Sequence, residues 1–224
     1  MKSQSKLLLY YMSMVSNNSV LLVILALIVI AISMTVHEYM HGFVSNLLGD
    51  DTARLSGRLS LNPLKHIDPV TTVLLPVVLV LLHEPPFGAA KPVPFNPYKL
   101  KYDEFGAALV GIAGPASNLI MAVIGGLLIR LTFVPDLNVW VTFWYLFIAI
   151  NIGFCIFNLI PFPPLDGSRV LYAFAPRGLQ RIMNQIESLG FFAIVIFILI
   201  FFQFLSPTLQ TIDIHLIGLV IGNG

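Results

Sequence analysis

Two histidines and a glutamate stand together at the end of the first long apolar block. The motif HEYMH at positions 37–41 has the pattern H-E-x-x-H. On a helix, positions i and i+4 face the same way, so His37 and His41 can bind one metal ion. Glu38 would then lie beside the metal as a general base for water. The alternative is a polar helix end with hydrogen-bonded histidines. Against it, the 17 residues at 20–36 carry no charge, and an ionisable group at membrane depth costs roughly 3 kcal/mol or more.

Asp166 is the best candidate for a third metal ligand. A catalytic zinc ion takes three protein ligands and leaves one position for water. Prolines at 161, 163 and 164 end the apolar block that precedes Asp166, and Gly167 permits a turn. Irregular backbone at membrane depth is tolerated where it is buried in protein or lines a wet cavity. The alternative for Asp166 is a helix cap at the membrane interface.

The composition places these residues in an integral membrane protein. The chain has 224 residues, of which 57% are apolar and 10% are charged, and its mean hydropathy is +0.89. A soluble domain carries about 25% charged residues. The net charge of +1 excludes an extended nucleic-acid interface. Cys155 is the single cysteine, so no intrachain disulfide can form.

The elements that must position the candidate ligands are membrane helices. We expect an all-α polytopic bundle of about four to six membrane segments, with a short re-entrant segment and a small β-ribbon near the site. The whole chain is interpreted as one membrane-embedded domain. Its expected parts are an interfacial lead-in (1–19), a first span (20–48), a strand-like, re-entrant and proline-rich region (49–104), a second span (105–131), a third span with the Asp166 element (139–171), a fourth span (189–205) and a short C-terminal segment (206–224).

Val70–Leu82 decides the topology. It has about 13 residues with Pro76 in the middle, fewer than the roughly 20 that a crossing needs. If it re-enters, the basic residues divide nine against three between the two sides; if it crosses, they divide eight against four. Binding of one metal ion by the ends of the first and third spans also requires these spans to run in the same direction. We therefore predict re-entry, an outside N-terminus and a metal site nearer the cytoplasmic face.

Two stretches between the first and second spans have the composition of extended backbone. Ala53–Leu61 alternates polar and apolar residues, which is typical of a strand, and the prolines within 84–97 disfavour a helix. Either stretch could line a substrate groove, where an edge strand could bind an unwound peptide by β-addition; interfacial scaffolding is the alternative. The candidate substrate contacts are Leu55, Leu59, Pro92 and Pro94.

The motifs together resemble the site-2 protease family of intramembrane zinc metalloproteases, peptidase family M50. The H-E-x-x-H motif is followed across membrane spans by N-x-x-P-x-x-x-L-D-G at 158–167. The stretches 61–69, 90–97 and 113–118 are similar to a compact prokaryotic branch, in which no PDZ or CBS domain is expected. The resemblance implies one zinc ion per chain held by His37, His41 and Asp166. It also implies Glu38 as the catalytic base and Asn158 as the residue that orients substrate or stabilises the oxyanion.

Gly114–Asn118 puts small residues and an amide inside the second span. Close helix packing is the first interpretation of the small residues, and Asn118 is predicted to support the site or contact substrate. His66 and Asp68 form a second polar pair, for which an interfacial turn is preferred to a metal site.

The expected partners are a transmembrane helical protein substrate and the lipid bilayer, in a prokaryotic cell membrane. Two other functions stay open from the sequence. One is a non-catalytic family member that binds membrane segments, which the intact Glu38 argues against. The other is a metal transporter, which would need ionisable residues along several spans.

Overall fold

The computed structural model describes residues 19–81, 90–131, 139–197, 200, 211–212 and 215–220. In these residues the regular structure is helical. The α-helices are α1 (Ser19–Leu47), α2 (Thr52–Leu55), α3 (Leu75–Leu81), α4 (Asp103–Leu131), α5 (Val139–Asn158), α6 (Gly167–Phe174), α7 (Arg177–Ser188) and α8 (Phe191–Phe197). A π-helix, Pro69–Leu74, leads directly into α3, and single 3-10 turns occupy Pro63–Lys65 and Pro97–Lys99.

Three of the described helices are long and apolar enough to cross a membrane: Val20–Leu47 within α1, all of α4, and all of α5. This agrees with the all-α membrane fold predicted from the sequence. Other predictions fall partly outside the described residues. They are the lead-in 1–19 except Ser19, residues 82–89 of the re-entrant and proline-rich region, the fourth span 189–205 beyond Phe197 except residue 200, and most of 206–224.

Side-chain contacts establish the relative directions of the three long helices. His41 of α1 meets Val110 of α4, and His37, one turn earlier in α1, meets Asn118, two turns later in α4. These two helices are therefore antiparallel. In α4, Asn118 bonds Asn151 of α5, whereas a Cβ on the later Gly125 would lie 3.1 Å from the earlier Phe147 of α5. Helices α4 and α5 are therefore antiparallel too. Hence α1 and α5 run in the same direction, as metal binding by their ends requires.

An apolar core joins α1 to α5. Buried side chains of the two helices form one cluster, which contains Leu22, Leu25, Ala26, Val29, Ile30 and Met34 from α1 and Leu146, Phe147, Ile150 and Phe154 from α5. Lipid tails are as apolar as these side chains, so the hydrophobic effect does not drive helices together within a bilayer. Helix association there depends on close van der Waals packing, which small residues permit. Gly125 and Gly126 serve this role, because added side chains would press against α5 and Val220 respectively.

The connection from α1 to α4 returns to the end of α1 from which it starts. The Lys101 amide donates to the Leu48 carbonyl over 2.8 Å. The Asn96 amide donates to the Asp50 carboxylate over 2.6 Å. The two ends of this connection therefore lie together at the end of α1, and the helical segment 69–81 packs against α1. The re-entry predicted for 70–82 stays a prediction.

Asp50 is the centre of this closure. Its side chain is fully buried and also accepts hydrogen bonds from Ser45 and Thr52. Burial opposes ionisation, yet the hydrogen bonds from Thr52, Asn96 and Ser45 lower the pKa of the Asp50 carboxyl below its ordinary value. The carboxylate thus stays charged while it ties the two ends of the connection together.

The strand predicted over Ala53–Leu61 is wrong. Residues 53–55 belong to α2, and residues 56–62 form turns and irregular backbone. The amides from Leu55 to Ser60 donate within the connection itself, so they cannot pair with an added peptide strand. Gly57 has a φ of 67°, which lets the chain turn where a strand would have continued. No β-ribbon occurs elsewhere in the described residues.

Candidate metal centre

The last turns of α1 present the two motif histidines to the interior of the helical bundle. His37 and His41 are buried, with 7% and 9% of their surface exposed. Their ring centroids are 4.6 Å apart, and their Nε2 atoms are separated by 3.0 Å. The i, i+4 spacing therefore directs both imidazoles at one point, as the sequence predicts.

Asp166 reaches this point from the loop between α5 and α6. Its Oδ2 lies 3.1 Å from His37 Nε2 and 3.3 Å from His41 Nε2. The loop fits closely under the end of α5. A Cβ on the neighbouring Gly167 would lie 2.8 Å from the Ile160 carbonyl and nearer still to Leu159, so this turn requires glycine. The ligand atoms of His37, His41 and Asp166 all lie within 4.8 Å of one another.

Hydrogen bonds on the far side of each imidazole prepare it for metal binding. His37 Nδ1 lies 2.5 Å from the Asn118 side-chain oxygen, and His41 Nδ1 lies 2.7 Å from the Val110 carbonyl. Each oxygen accepts a hydrogen bond, which keeps the proton on Nδ1 and leaves the lone pair on Nε2. Two imidazole lone pairs and one carboxylate oxygen therefore face each other.

This donor set fits a zinc ion. Lone pairs at such distances repel unless a cation lies between them, and the buried Asp166 Oδ2 has no hydrogen-bond partner. Nitrogen and oxygen ligands about 2.0–2.1 Å from a tetrahedral zinc ion lie about 3.3 Å from one another. The observed separations of 3.0, 3.1 and 3.3 Å are close to that value.

Glu38 is buried beside the ligands and contacts the proline-rich part of the connection. Its Oε2 accepts a hydrogen bond of 2.7 Å from the Val93 amide. We call residues 91–96, which carry this amide, the proline segment. Arg58 holds the segment in place by donating to the carbonyls of Lys91 and Pro92, over 2.9 and 3.2 Å.

The other predicted site residues lie at different positions around the centre. Asn158, at the end of α5, donates to the Phe154 carbonyl over 3.0 Å. Leu55 is exposed on α2, and Leu59 lies partly buried near Gly42 of α1. Pro92 and Pro94 are exposed on either side of the buried Val93. Their predicted contacts with substrate stay predictions.

The sequence analysis missed Gly114 and Asn151 as neighbours of the centre. A Cβ on Gly114 would lie 2.6 Å from His37 Nε2, so the glycine makes room for the ligands. Asn118, fully buried, was predicted to support the site or contact substrate, and it bonds His37. Behind it, Asn151 and Ser33 extend the polar contacts into the bundle. An amide within the apolar 139–158 was the available signal for Asn151.

His66 lies away from the metal centre in a closed turn. It is 1% exposed, its Nε2 lies 2.7 Å from the Ser60 carbonyl, and its own carbonyl accepts from the Lys91 amide. Asp68 caps the following helix through the amides of Val70 and Thr71. This arrangement agrees with the structural turn preferred from the sequence.

Comparisons with known proteins agree with the geometry. A family model described as peptidase family M50 matches residues 133–202. YwhC, a candidate zinc metalloprotease of Bacillus subtilis, is 39% identical over 181 residues, which are 78% of each chain. Rip2, a candidate zinc metalloprotease, is 29% identical in Mycolicibacterium smegmatis, over 75% of this chain and 63% of that protein. Rip2 of Mycobacterium tuberculosis is also 29% identical, over 80% of this chain and 66% of that protein. No solved structure matches the chain.

Proposed function

The chain belongs to peptidase family M50, the family of the site-2 proteases, and from that premise we propose that it is an intramembrane zinc endopeptidase. It would hydrolyse peptide bonds within or near the transmembrane helices of other membrane proteins. One observation carries the proposal: two imidazole nitrogens and a carboxylate oxygen converge among helices that are apolar enough to span a bilayer. This is the three-ligand set of a catalytic zinc site.

His37, His41 and Asp166 would hold one zinc ion per chain. When bound, the ion supplies Lewis acidity towards the scissile carbonyl and lowers the pKa of a coordinated water to about 7. The chain supplies the orientation of the ligands through Asn118 and the Val110 carbonyl. His37, Glu38 and His41 are buried, and burial strengthens the electrostatic interactions that these side chains make.

Glu38 would move the proton. A carboxylate has two oxygens, so Glu38 can keep the Val93 amide on Oε2 and take a proton from the attacking water on Oε1. It would then deliver this proton to the nitrogen of the leaving amine. Asn158 would donate to the substrate carbonyl, since an amide nitrogen carries two hydrogens and only one is needed for Phe154.

The substrate would be an apolar helix that enters from the bilayer and opens near the site. Leu55, Leu59, Pro92 and Pro94 are proposed to contact it. We place the N-terminus outside the cell and the metal centre near the cytoplasmic face of a prokaryotic membrane.

Two other functions compete with proteolysis. A non-catalytic protein that binds membrane segments would have no use for a buried carboxylate beside a metal site, so Glu38 argues against it. A metal transporter would need ligands along a path through the membrane. Within the described residues, His37, His41 and Asp166 form a single such group.

Glu38→Gln tests catalysis separately from metal binding. We expect this variant to keep zinc and to cleave a membrane-helix substrate at least about 100-fold more slowly, because it lacks the general base. Asp166→Ala should lose both zinc and cleavage. The measurements are metal content of the purified protein and cleavage in detergent micelles.

Glu104→Gln is the matched control, because Glu104 is an exposed glutamate in the first turn of α4. It should retain both properties. Cleavage at the parent rate by Glu38→Gln would refute the mechanism. A zinc-binding parent protein that cleaves no membrane helix would favour the non-catalytic alternative.

A further inference from the structure

Behind the metal centre, buried side-chain amides connect all three long helices. Asn118 of α4 faces His37 through its oxygen and donates through its nitrogen to the Asn151 oxygen over 2.8 Å. Asn151 of α5 donates to Ser33 of α1 and to its own helix at the Phe147 carbonyl, each over 2.8 Å. Ser33, Asn118 and Asn151 are all 0% exposed.

The Phe147 carbonyl gives this chain of hydrogen bonds its direction. A backbone carbonyl can only accept, so the nitrogen of Asn151 must face it, and the oxygen of Asn151 must face Asn118. The nitrogen of Asn118 then faces Asn151, and its oxygen faces His37 Nδ1. That oxygen holds the proton on Nδ1, which leaves Nε2 free to bind a metal ion.

Reversal of the Asn118 amide would have the opposite effect. Its nitrogen would then donate to His37 Nδ1, and the ring proton would move to Nε2, the atom that faces Asp166 and His41. A protonated Nε2 cannot bind zinc. The orientation of one buried amide therefore determines whether the ring is a ligand.

We propose that Asn151 is a positioning residue that fixes the tautomer of His37 by fixing the orientation of the Asn118 amide. The inference rests on the proposed zinc site. This role of Asn151 is distinct from packing, because Asn151 determines whether the oxygen or the nitrogen of Asn118 faces His37 Nδ1. Ser33 is not needed for it, since a hydroxyl can donate or accept and therefore imposes no direction.

Zinc affinity measured by competition with a chelator tests the proposal. Asn151→Leu keeps the approximate volume and removes the acceptor for Asn118, so we expect zinc binding to weaken about 10- to 100-fold. Ser33→Ala should leave zinc affinity near that of the parent protein, because the Phe147 carbonyl still orients Asn151. Cys155→Ala, at another buried position of α5, controls for a change in packing. Thermal unfolding of each variant without zinc reports whether it folds.

A double variant separates the effect of Asn151 on the Asn118 amide, which we call the relay, from an effect on packing. Asn118→Asp places a carboxylate, which only accepts, against His37 Nδ1, so the tautomer no longer depends on Asn151. In this background, Asn151→Leu should cost much less zinc affinity than in the parent. An equal loss in both backgrounds would show that Asn151 acts through packing and would overturn the proposal, as would an unchanged affinity in Asn151→Leu alone.

Failure of the relay can be told from failure of the metal site. If the parent protein binds zinc and His41→Ala does not, the site stands whatever Asn151→Leu shows. If the parent protein binds no zinc, the proposed function fails together with the relay.

Discussion

Gly114 matters to the metal centre because it has no side chain. Its α-carbon lies against the edges of the ligand rings, where an added Cβ would come within 2.6 Å of His37 Cε1 and Nε2 and nearer still to His41 Nε2. Backbone or ligand rings would have to shift to admit it. The pattern of small residues at 114–118 was interpreted as helix packing, and here the close packing is against the ligands themselves.

Gly114→Ala should therefore weaken zinc binding, by about 10- to 100-fold, as loss of ligand orientation does elsewhere. Gly153→Ala is the matched control, since a Cβ at this membrane-helix glycine meets nothing within 4 Å. Alanine is the better helix former by about 1 kcal/mol, so a change in helix propensity cannot produce the loss. Equal zinc affinities for the two variants, from chelator competition, would show that the ligand rings adjust to the added Cβ.

The candidate ligands could be predicted from sequence, and so could a supporting role for Asn118, whereas the partners in the supporting hydrogen bonds could not. His37 and His41 are related by helical periodicity, and Asp166 stands out as an acid after three prolines in an apolar chain. The supporting hydrogen bonds join residues far apart in the sequence, 81 positions for His37 and Asn118 and 118 positions for Ser33 and Asn151. No local pattern encodes such a distance, and one sequence gives only the unusual polar residue within an apolar helix.

The connection between α1 and α4 shows the same limit at the scale of elements. Alternation over Ala53–Leu61 predicted a strand, but in the structure exposure does not alternate, and Leu55 with its neighbours Arg54 and Ser56 is exposed. The Ala53 carbonyl instead accepts the amides of Arg58 and Leu59 and closes a tight turn. The absence of helix predicted from the prolines within 84–97 is confirmed at residues 91–96, because proline disfavours a helix whatever the surroundings. Pro97 begins a 3-10 turn, and residues 84–89 lie outside the described residues.

Arg58 links these two parts of the connection, and its removal should free the proline segment. Arg58→Ala loses the hydrogen bonds to the carbonyls of Lys65, Lys91 and Pro92. We expect faster amide hydrogen exchange at Val93, cleavage reduced by about tenfold or more as Glu38 loses its fixed partner, and unchanged zinc content.

Arg54→Ala is the control for Arg58→Ala, because Arg54 is exposed and pairs with Asp51 of the same turn. An exposed pair of this kind contributes at most about 1 kcal/mol to stability. Arg54→Ala should leave amide hydrogen exchange at Val93 and the rate of cleavage unchanged. If Arg58→Ala cleaves at the parent rate while Val93 exchanges faster, the proline segment does not position Glu38.

At the scale of the whole molecule, charge and metal ligands gather at one end of the bundle. The ends of α1 and α5 and the start of α4 meet there, and both ends of the α1–α4 connection return to it. Of the ten lysines and arginines in the described residues, Arg130 lies at the opposite end. The other nine belong to the connection or follow α5: Arg54, Arg58, Lys65, Lys91, Lys99, Lys101, Arg169, Arg177 and Arg181. Basic loops are retained on the cytoplasmic side, so this distribution supports the proposed orientation.

Cysteine accessibility in intact cells tests this orientation. In a Cys155→Ala background, single cysteines at Tyr98 and Gly178 should resist a membrane-impermeant maleimide until the cells are opened, because both positions lie exposed at the metal end. Cysteines at Leu131 and Val139, exposed at the other end, should react in intact cells. Labelling of both Tyr98→Cys and Gly178→Cys in intact cells would contradict the proposed orientation, because it would place the metal centre near the outer face. Labelling of only one of the two would be incompatible with a single metal end, since Tyr98 precedes α4 and Gly178 follows α5.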